Sequence, residues 1–539
     1  MINTDVLIVG AGPTGLTLAC QLVRYGIDFV LIEKNPGVTT KSKAIGIQAR
    51  TLEIYEQLGL APQAIDRGQI AGKIRIIADR KVRGQVDLSD MGRDLSPYPY
   101  LFILEQNENE QLLYEYLQSH QQEVQWQTEL EHFTQDEIGV TAQVKTADGL
   151  SETIVAKYLV GCDGARSPVR HSLGLTFEGS TLERLYYVVD AQIDWEFSAD
   201  AGYGCISRDT LIFFFPMAGE NRYRIVGTFP EGFDQNVDEI LYETIEQHIQ
   251  ADTKLSLNIS NVKWFSVYKV NTRAVNQFSV GRCFVAGDAA HVHSPAGGQG
   301  MNTGIQDAYN LAWKMAFVIK GAASEKLLDT YNEERLPNAQ RLLETTDRAF
   351  NVLVGSNWFF SFMRMKILPL VAKYAIGRDL VGKNIFSAIS QIRLNYRDDS
   401  LSNHDGDKDF KVKAGDRMPY FLVDGESIYD RLHAPKFHLL VFSDSEHGVR
   451  DLRQELEQES VDAILQWRGF ANEFKIIPLS PQISGIFGID KPFQLLLRPD
   501  NYIGFISTAA SLTNLKTYIH EALGNPQSQL IYKSNSIDT

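Results

Sequence analysis

The stretch Asp5-Val-Leu-Ile-Val9-Gly10-Ala-Gly12-Pro-Thr-Gly15 decides the fold class of this chain. Its first half is a short apolar run, typical of a buried parallel strand, and its second half fits G-x-G-x-x-G. Residues Pro13 to Tyr25 carry apolar side chains at helical spacing, and a second apolar strand, Phe29 to Ile32, is followed by Glu33. A strand, a glycine turn, a helix and a strand with an acidic end predict a Rossmann-like dinucleotide-binding unit.

Each part of this turn has a mechanical role. Gly10 makes the tight turn, Gly12 lets the backbone approach a pyrophosphate, and Gly15 permits close packing of helix on strand. The helix then faces the phosphates with free N–H groups and the positive end of its dipole, while Glu33 accepts from ribose hydroxyls. The neighbouring residues complete the predicted cofactor-binding set at this turn: Pro13, Thr14 and Lys34. A plain glycine turn is the alternative, which the strand–turn–helix context disfavours.

Two further strand-turn units follow. In Gly161-Cys-Asp163-Gly164-Ala-Arg-Ser167-Pro168, the last two residues suit the N-cap and N1 positions of a helix. In the segment 281–302, a buried strand leads to Gly287-Asp288 and then to a glycine-rich loop and an apolar-striped helix that reaches about Lys320. Reduction of a flavin places negative charge on its ring, which the N-terminus of this helix would stabilise, and Asp288 suits ribityl hydroxyls.

The loop also contains His291 and His293, which raises the question of a metal site. With only Asp288 nearby they make a poor ligand set, so we interpret them as packing residues and predict no metal.

Together, and in this order, the three motifs resemble those of the aromatic (phenol) hydroxylase family of single-component flavoprotein monooxygenases. Stretches such as His293-Ser-Pro-Ala-Gly-Gly-Gln-Gly-Met-Asn302 and Arg498-Pro-Asp-Asn-Tyr-Ile503 look closest to pentachlorophenol monooxygenases, and polyketide and rifampicin hydroxylases share the motifs. The resemblance implies FAD as cofactor and NADPH or NADH as co-substrate. It also implies O2 as oxidant, with a flavin C4a-hydroperoxide that hydroxylates a phenolic ring.

The resemblance also places cofactor contacts on further residues of this sequence. It implies that Arg50 approaches the FAD phosphates, that Gln106 touches the cofactor, and that Asp163 is linked to both FAD and NADPH. The loop beside the flavin ring is matched by Pro295, Gly298, Gly300, Met301 and Asn302. The resemblance further implies a flavin that swings, and we expect the segment 39–48 to move. Its residues 44–48 contain no carboxylate, which puts a base at this position in doubt, so the catalytic residues are unknown.

The fold class is α/β (α+β), with a discontinuous FAD-binding domain at 1–72, 106–175 and 276–350. A β-sheet substrate domain is predicted at 73–105 and 176–275, a helical connection at 351–410, and a thioredoxin-like domain without cysteine at 411–539. For the substrate pocket we single out residues whose alternative role is core packing: Ile45, Tyr203, Phe214, Pro216 and Tyr268, with Phe213, Phe215 and Arg273 as further candidates.

Composition narrows the classes of partner. The 539 residues carry a net charge of −15, which disfavours nucleic acid and anionic lipid. Four dispersed cysteines predict buried thiols, not a disulfide framework. With neither a signal peptide nor a membrane segment recognised, we expect a cytoplasmic enzyme that binds a small aromatic substrate, and a homo-oligomer is the further partner that we consider. The alternatives are an antibiotic-modifying (rifamycin or polyketide) monooxygenase and an FAD-dependent reductase or dehydrogenase that uses no O2.

Overall fold

The structure of the protein is a computed structural model. It describes residues 1–78, 80–198, 200–207, 210–294, 298–354, 379–405, 408, 410–443, 475–508 and 512–524.

Helices are found in all parts of the described chain. They are α1 (Pro13–Tyr25), α2 (Ala49–Glu56), α3 (Ala61–Arg67), α4 (Gln106–Ser119), α5 (Pro168–Ser172), α6 (Tyr242–Thr253), α7 (Gly300–Ile319), α8 (Lys326–Val354), α9 (Asp379–Ile389), α10 (Pro481–Phe487) and α11 (Leu512–Leu523).

The strands of the first half are β1 (Ile2–Val9), β2 (Phe29–Glu33), β3 (Gly46–Ile47), β4 (Gln69–Ala71), β5 (Lys73–Ala78), β6 (Lys81–Asp87), β7 (Leu101–Ile103), β8 (Val124–Trp126), β9 (Glu129–Gln135), β10 (Val140–Lys145) and β11 (Ser151–Gly161). Those that follow up to the C-terminal region are β12 (Phe177–Trp195), β13 (Gly202–Ile206), β14 (Leu211–Pro216), β15 (Arg222–Thr228), β16 (Leu257–Val275), β17 (Ser279–Val280), β18 (Cys283–Val285) and β19 (His291–Val292). The C-terminal strands are β20 (Asn403–Asp405), β21 (Leu422–Val423), β22 (Glu426–Ser427), β23 (His438–Phe442), β24 (Lys475–Ile477), β25 (Phe493–Leu497) and β26 (Ile503–Ser507).

The first eight-stranded sheet contains the predicted dinucleotide-binding unit. Its main path runs β17–β18–β11–β1–β2–β8, and β1 is parallel to both β11 and β2. The predicted boundaries of α1 are confirmed, because Pro13 begins the helix and Gly26 ends it in the left-handed conformation (φ 61°). Helix α7 packs on α1 and is almost wholly buried, as its apolar stripe predicts. The ends of three strands therefore converge beside the N-termini of α1 and α7.

The second eight-stranded sheet has the order β19–β16–β12–β15–β14–β13–β5–β6. Strands from 73–87 and from 177–275 thus lie in one sheet, and the turn at 219–221 joins β14 to β15. Strand β19, which follows the Gly287–Asp288 turn, pairs with β16 and connects this sheet to the FAD-binding motifs.

The C-terminal sheet has the order β20–β26–β25–β23–β24. It begins before residue 411, because Asn403–Asp405 pairs in parallel with β26, so the predicted end of the helical connection at 410 is too late. Within the connection, the described helix is Asp379–Ile389, and residues 355–378 lie outside the described residues. The thioredoxin-like character of this region stays a prediction. The four cysteines are free and buried, as predicted.

Candidate cofactor and substrate site

The glycine turn after β1 is packed on one side and open on the other. A Cβ at Gly15 would lie 1.9 Å from the carbonyl oxygen of Gly10, and one at Gly10 would lie 2.5 Å from the carbonyl oxygen of Cys162. A Cβ at Gly12 would meet nothing within 4 Å. No side chain caps the N-terminus of α1, so its N–H groups face this open side. The turn therefore has the shape and donors that a pyrophosphate requires.

Glu33 closes the turn from the end of β2. Its carboxylate accepts the N–H of Ala11 at 2.9 Å and, through the other oxygen, the N–H of Asn35 at 2.9 Å. Lys34 beside it is exposed. We call the space on the open side of this turn the cofactor groove. Glu33 lies at its rim, where the sequence predicts the ribose contact.

Asp163 lies behind the same turn. One of its oxygens accepts the N–H of Val169 at 3.0 Å, and the other is buried with no hydrogen-bond partner. Burial raises the pKa of this carboxyl group. Arg170, two residues into α5, donates to the carbonyl of Ala289 at 3.0 Å and so ties the Asp163 motif to the Gly287–Asp288 motif. The sequence reading missed this arginine.

Asp288 lies on the floor of the groove. Its side chain is exposed, although protein surrounds it closely enough that desolvation raises its pKa. Thr14 packs closely against the turn that precedes Asp288. A Cβ at Gly287, or at Gly304 of α7, would lie 2.4 or 2.3 Å from the Thr14 hydroxyl, so both positions require glycine. An exposed carboxylate at the base of a deep groove fits the polyol chain of FAD.

Asn302 differs from its prediction as a cofactor contact. It is fully buried, and its amide makes four hydrogen bonds, to the N–H of Gln48, the hydroxyl of Thr51 and the carbonyls of Gly46 and Gly298. Its side chain has no remaining donor or acceptor for a cofactor. Asn302 instead joins the segment 46–48 to the loop before α7, and this anchors one end of the segment expected to move.

The other predicted residues of the ring loop are near the N-terminus of α7. Gly298 is exposed, and Gly300 begins the helix with Met301 partly buried behind it. Pro295 lies outside the described residues. The N–H groups at 300–302 therefore remain the predicted contacts with the flavin ring.

Asp307, which the sequence reading did not single out, anchors this end of the site. It is fully buried, and it accepts the N–H of Gly287 at 2.9 Å, the Nε2 of His291 at 2.7 Å and the Nε of Arg335 at 2.7 Å. Arg335 is the main cause that lowers the pKa of Asp307 against the effect of burial. The Nε2 of His291 is therefore hydrogen-bonded to the Asp307 carboxylate, in agreement with a packing role. Asp307 is the one acidic residue of α7, and this was the available sequence signal.

Gln106 begins α4 and contacts the segment expected to move. Its side-chain oxygen accepts the N–H of Lys43 at 3.3 Å, and its backbone N–H donates to Ser42 and Ala44. Ile45 in the same segment is half-buried. In this structure Gln106 is hydrogen-bonded to the segment 39–48 close to the groove, and its contact with the cofactor stays a prediction.

Arg50 is not brought to the phosphate turn. Its guanidinium is buried, where it pairs with Glu53 at 3.0 Å and donates to the backbone carbonyl of Asp500 at 2.7 Å. The rings of Tyr309 and Tyr502 lie within 5.6 Å of it. The predicted phosphate contact is therefore wrong for this structure, because α2 turns Arg50 toward the C-terminal region.

The two faces of the second sheet have different surroundings. Ile212, Phe214 and Tyr203 belong to a core that helix α6 covers, together with Trp195 and Phe197. Pro216 alternates with Phe214 on the same face of β14. The predicted pocket role of Tyr203, Phe214 and Pro216 is thus wrong, since all three pack away from the cofactor groove.

Phe213, Phe215 and Tyr268 lie on the opposite face, which we call the open face. Phe213 and Phe215 stack with ring centroids 5.7 Å apart, and Tyr268 packs in the same small cluster as Phe213. Arg222 of this face pairs with Glu105, the residue before α4, at 3.0 Å. The open face is therefore directed toward the FAD-binding motifs, and Tyr268 keeps its predicted place.

An apolar cavity adjoins the open face. It measures about 180 Å³ and is lined by Ile74, Val86, Leu88, Met91, Leu101, Ile385, Phe386 and Ile389. The carbonyl of Ile389 and that of Ala388 accept the side-chain amide of Gln299, which lies in the loop before α7. The cavity and the loop expected beside the flavin ring therefore share helix α9 as a common wall.

Comparison with known proteins identifies the class. Residues 3–346 match the FAD binding domain family, and the chain belongs to it. It is 32% identical over 524 residues to a flavin-dependent monooxygenase of Mycobacteroides abscessus, which covers 93% of this chain and 97% of that protein. It is also 32% identical to pentachlorophenol 4-monooxygenase of Sphingobium chlorophenolicum, with 93% of each chain covered. The protein is thus an FAD-dependent monooxygenase, an oxidoreductase, and the resemblance read from its motifs is confirmed.

Solved structures agree on the fold. The flavin-dependent monooxygenase PieE, solved with FAD and substrate, superposes with a TM-score of 0.78 at 22% identity over 97% of this chain and 98% of that chain. The anhydrotetracycline hydroxylase OxyS from Streptomyces rimosus gives 0.74 at 26% identity over 97% and 100%. Among the described residues, the structure has no helix of the length and hydropathy needed to span a membrane.

Proposed function

We propose that this enzyme hydroxylates a phenolic substrate held between the open face of the second sheet and the N-terminus of α7, with NAD(P)H as the electron donor. The observation that carries the proposal is the position of the aromatic open face, which the Arg222–Glu105 pair directs toward the cofactor groove. Similarity to an enzyme named for pentachlorophenol supports the substrate class.

The residues present fit FAD along the whole groove. The open side of Gly12 and the N-terminus of α1 would hold the pyrophosphate, Glu33 the ribose, and Asp288 the ribityl chain. When bound, FAD supplies the transfer of one oxygen atom from O2 to the aromatic ring, with the second atom leaving as water.

The chain contributes orientation and exclusion of water. Phe213 and Phe215 offer flat apolar surfaces to an aromatic ring, and Tyr268 offers a hydroxyl group. Burial raises the pKa of Tyr268 to about 12, so its hydroxyl keeps its proton at neutral pH and can donate to a substrate oxygen. N–H groups of α7 would stabilise negative charge at the cofactor ring.

The test is oxygen uptake coupled to oxidation of NADPH or NADH, with phenols and halophenols as candidate substrates and peroxide release measured in parallel. We expect at least one phenol to accelerate NAD(P)H oxidation and to yield a hydroxylated product with little peroxide. An FAD-loaded protein that oxidises NAD(P)H with a phenol but never consumes O2 would instead be a reductase.

A second candidate is a monooxygenase that acts on a large fused-ring substrate such as a polyketide or rifamycin antibiotic. The apolar cavity beside the open face favours it, because a small phenol would leave that space unfilled. Similarity over 82% of this chain to 6-methylpretetramide 4-monooxygenase of Streptomyces rimosus also supports it. Fused-ring phenols in the same oxygen assay distinguish the two candidates. A cytoplasmic location and a homo-oligomer stay predictions.

A further inference from the structure

A buried ion pair lies in the middle of the open face. Arg224 of β15 and Asp190 of β12 are direct partners across the two strands. The guanidinium Nε and Nη2 each donate to one carboxylate oxygen at 2.6 Å, and the side chains are 2% and 7% exposed. This bidentate geometry cancels the charge of the arginine within the sheet.

The pair belongs to the surroundings that we propose for the substrate. Arg224 lies 5.8 Å from the ring of Trp264 and close enough to Tyr268 to influence its pKa. Its Nη1 is buried and has no hydrogen-bond partner. One nitrogen of a fixed guanidinium is thus left without an acceptor among aromatic side chains.

A second arginine of β15 is balanced in the same way. Arg222 alternates with Arg224 on the open face and pairs with Glu105 at 3.0 Å, with side-chain exposures of 19% and 14%. Two arginines therefore line this face, and each has its own carboxylate. The face contributes no net positive charge from this strand, although it contains two guanidinium groups.

We propose that Asp190 determines which substrates this enzyme accepts, by neutralising Arg224 so that the open face takes an aromatic ring without a carboxylate group. The inference rests on the proposed function, because it assumes that the substrate lies on this face. A carboxylate that entered would lose its hydration, and both arginines of β15 already have a carboxylate partner, whereas an uncharged ring would lose nothing comparable.

Replacement of Asp190 by asparagine tests this directly. Asp190→Asn keeps the shape of the side chain and one acceptor oxygen, but leaves the guanidinium with an uncompensated charge in a poorly hydrated site. We therefore expect the variant to gain affinity for carboxylated rings. The control is Asp200→Asn, because Asp200 pairs with Arg75 at 3.1 Å next to Tyr203, on the opposite face of the same sheet.

The experiment uses the FAD-loaded enzyme and two matched pairs of probes, phenol with 4-hydroxybenzoate and 2-naphthol with 6-hydroxy-2-naphthoate. Dissociation constants come from perturbation of the flavin spectrum, and NAD(P)H oxidation is followed for each compound. For the wild type we expect the uncharged member to bind at least about tenfold more tightly. Asp190→Asn should shrink or reverse that ratio by about tenfold or more, while Asp200→Asn should leave it unchanged.

Two results would overturn the inference while the proposed function stands: equal or tighter binding of the carboxylated probes by the wild type, or an unchanged ratio in folded Asp190→Asn. If the Arg224–Asp190 pair has only a structural role, Asp190→Asn should give the second result together with a lower free energy of unfolding. If Asp190→Asn does not fold, the wild-type ratio decides together with Arg224→Gln, which should increase the preference for uncharged rings. If no probe binds or accelerates NAD(P)H oxidation, the proposed phenol hydroxylation itself fails, and the inference fails with it.

Discussion

The cofactor groove is formed mainly by backbone atoms, whereas the open face of the second sheet is formed by side chains. The groove is formed by backbone: glycines at 10, 12, 15 and 287, and the N-termini of two helices. The open face is formed by side chains, with stacked phenylalanines and paired arginines projecting from β14 and β15. A site formed by backbone requires glycines at fixed spacings, so it can be recognised in the sequence as a motif. A side-chain site depends on which of two faces a residue occupies, and one step along a strand reverses that face.

The largest effects should come from the glycines, and they separate two roles within one motif. Gly15→Ala places a Cβ 1.9 Å from the carbonyl oxygen of Gly10, so we expect no folded protein that binds FAD. Gly12→Ala finds no protein atom within 4 Å, and the extended backbone of residue 12 (φ −75°, ψ −176°) is one that alanine adopts without strain, so the variant should fold normally. Its affinity for FAD should nevertheless fall by about 100-fold, because the methyl group occupies the place of the pyrophosphate.

Apo-protein unfolding and FAD titration measure these two quantities separately. If Gly12→Ala bound FAD with wild-type affinity, the phosphates would not pass over this glycine. The conclusion that backbone atoms at Gly12 form the phosphate site would then be wrong.

The next prediction concerns Arg50, which the motif comparison assigned to the groove and the structure assigns to the C-terminal contact. Arg50→Met leaves the buried Glu53 with Arg417 as its remaining cation, at 2.9 Å. We expect a loss of about 3 kcal/mol in the free energy of unfolding, because the buried hydrogen bonds of the guanidinium to Glu53 and to the carbonyl of Asp500 are lost, with FAD affinity of the folded protein unchanged. Arg93→Met, on an exposed side chain that pairs with Asp90, is the control and should change stability by less than about 0.5 kcal/mol. A large fall in FAD affinity without loss of stability would restore the phosphate role.

The division between backbone and side chains also explains what the sequence could predict. The first two strands, α1, the capped helix at Ser167 and the long helix α7 were readable, because periodicity and caps are local signals. Arg50 was misplaced because a matched motif says nothing about which long-range partners compete for a flexible side chain. Asp307 and Arg170 were missed because the partners that connect them to the Gly287–Asp288 motif and to α8 lie 16 to 119 residues away in the chain.

Phe214 could not be separated from its neighbours Phe213 and Phe215 as a pocket residue for a different reason. The run Leu211–Pro216 has apolar residues at every position, so it carries no alternation from which a face could be read. Only pairing with β15, and coverage of one face by α6, distinguishes Phe213 from Phe214.

Neighbouring substitutions on β14 test that distinction. Phe214→Ala removes a ring that is fully buried in the core under α6, so it should lower the free energy of unfolding by about 3 kcal/mol without changing the choice of substrate. Phe213→Ala removes a half-buried ring from the open face, so it should cost about 1 kcal/mol or less but raise KM for a phenol severalfold. Denaturant unfolding and steady-state kinetics on both variants give the answer. If Phe214→Ala alone raised KM, the two faces would have to be exchanged.

The smallest expected effect concerns His293, which follows β19 at the junction of the groove and the sheet. Its Nδ1 lies 2.8 Å from the carbonyl of Ser294, so Nδ1 bears the proton, and its buried Nε2 has no partner. Desolvation lowers the pKa of His293 to about 4. The unfolded chain therefore binds more protons than the folded one between pH 4 and about 6.5, and stability falls as the pH drops through that window.

From pH 7 to pH 5, His293 should account for a loss of about 2 kcal/mol in the free energy of unfolding. His293→Gln should remove that part of the pH dependence, because glutamine has no charge to gain, whereas His132→Gln, at an exposed position of β9, should leave it in place. Denaturant unfolding at the two pH values measures the difference. An unchanged pH dependence in His293→Gln would mean that this histidine can take up a proton within the fold, and the junction would then be open to water like the groove, not closed like the core of the sheet.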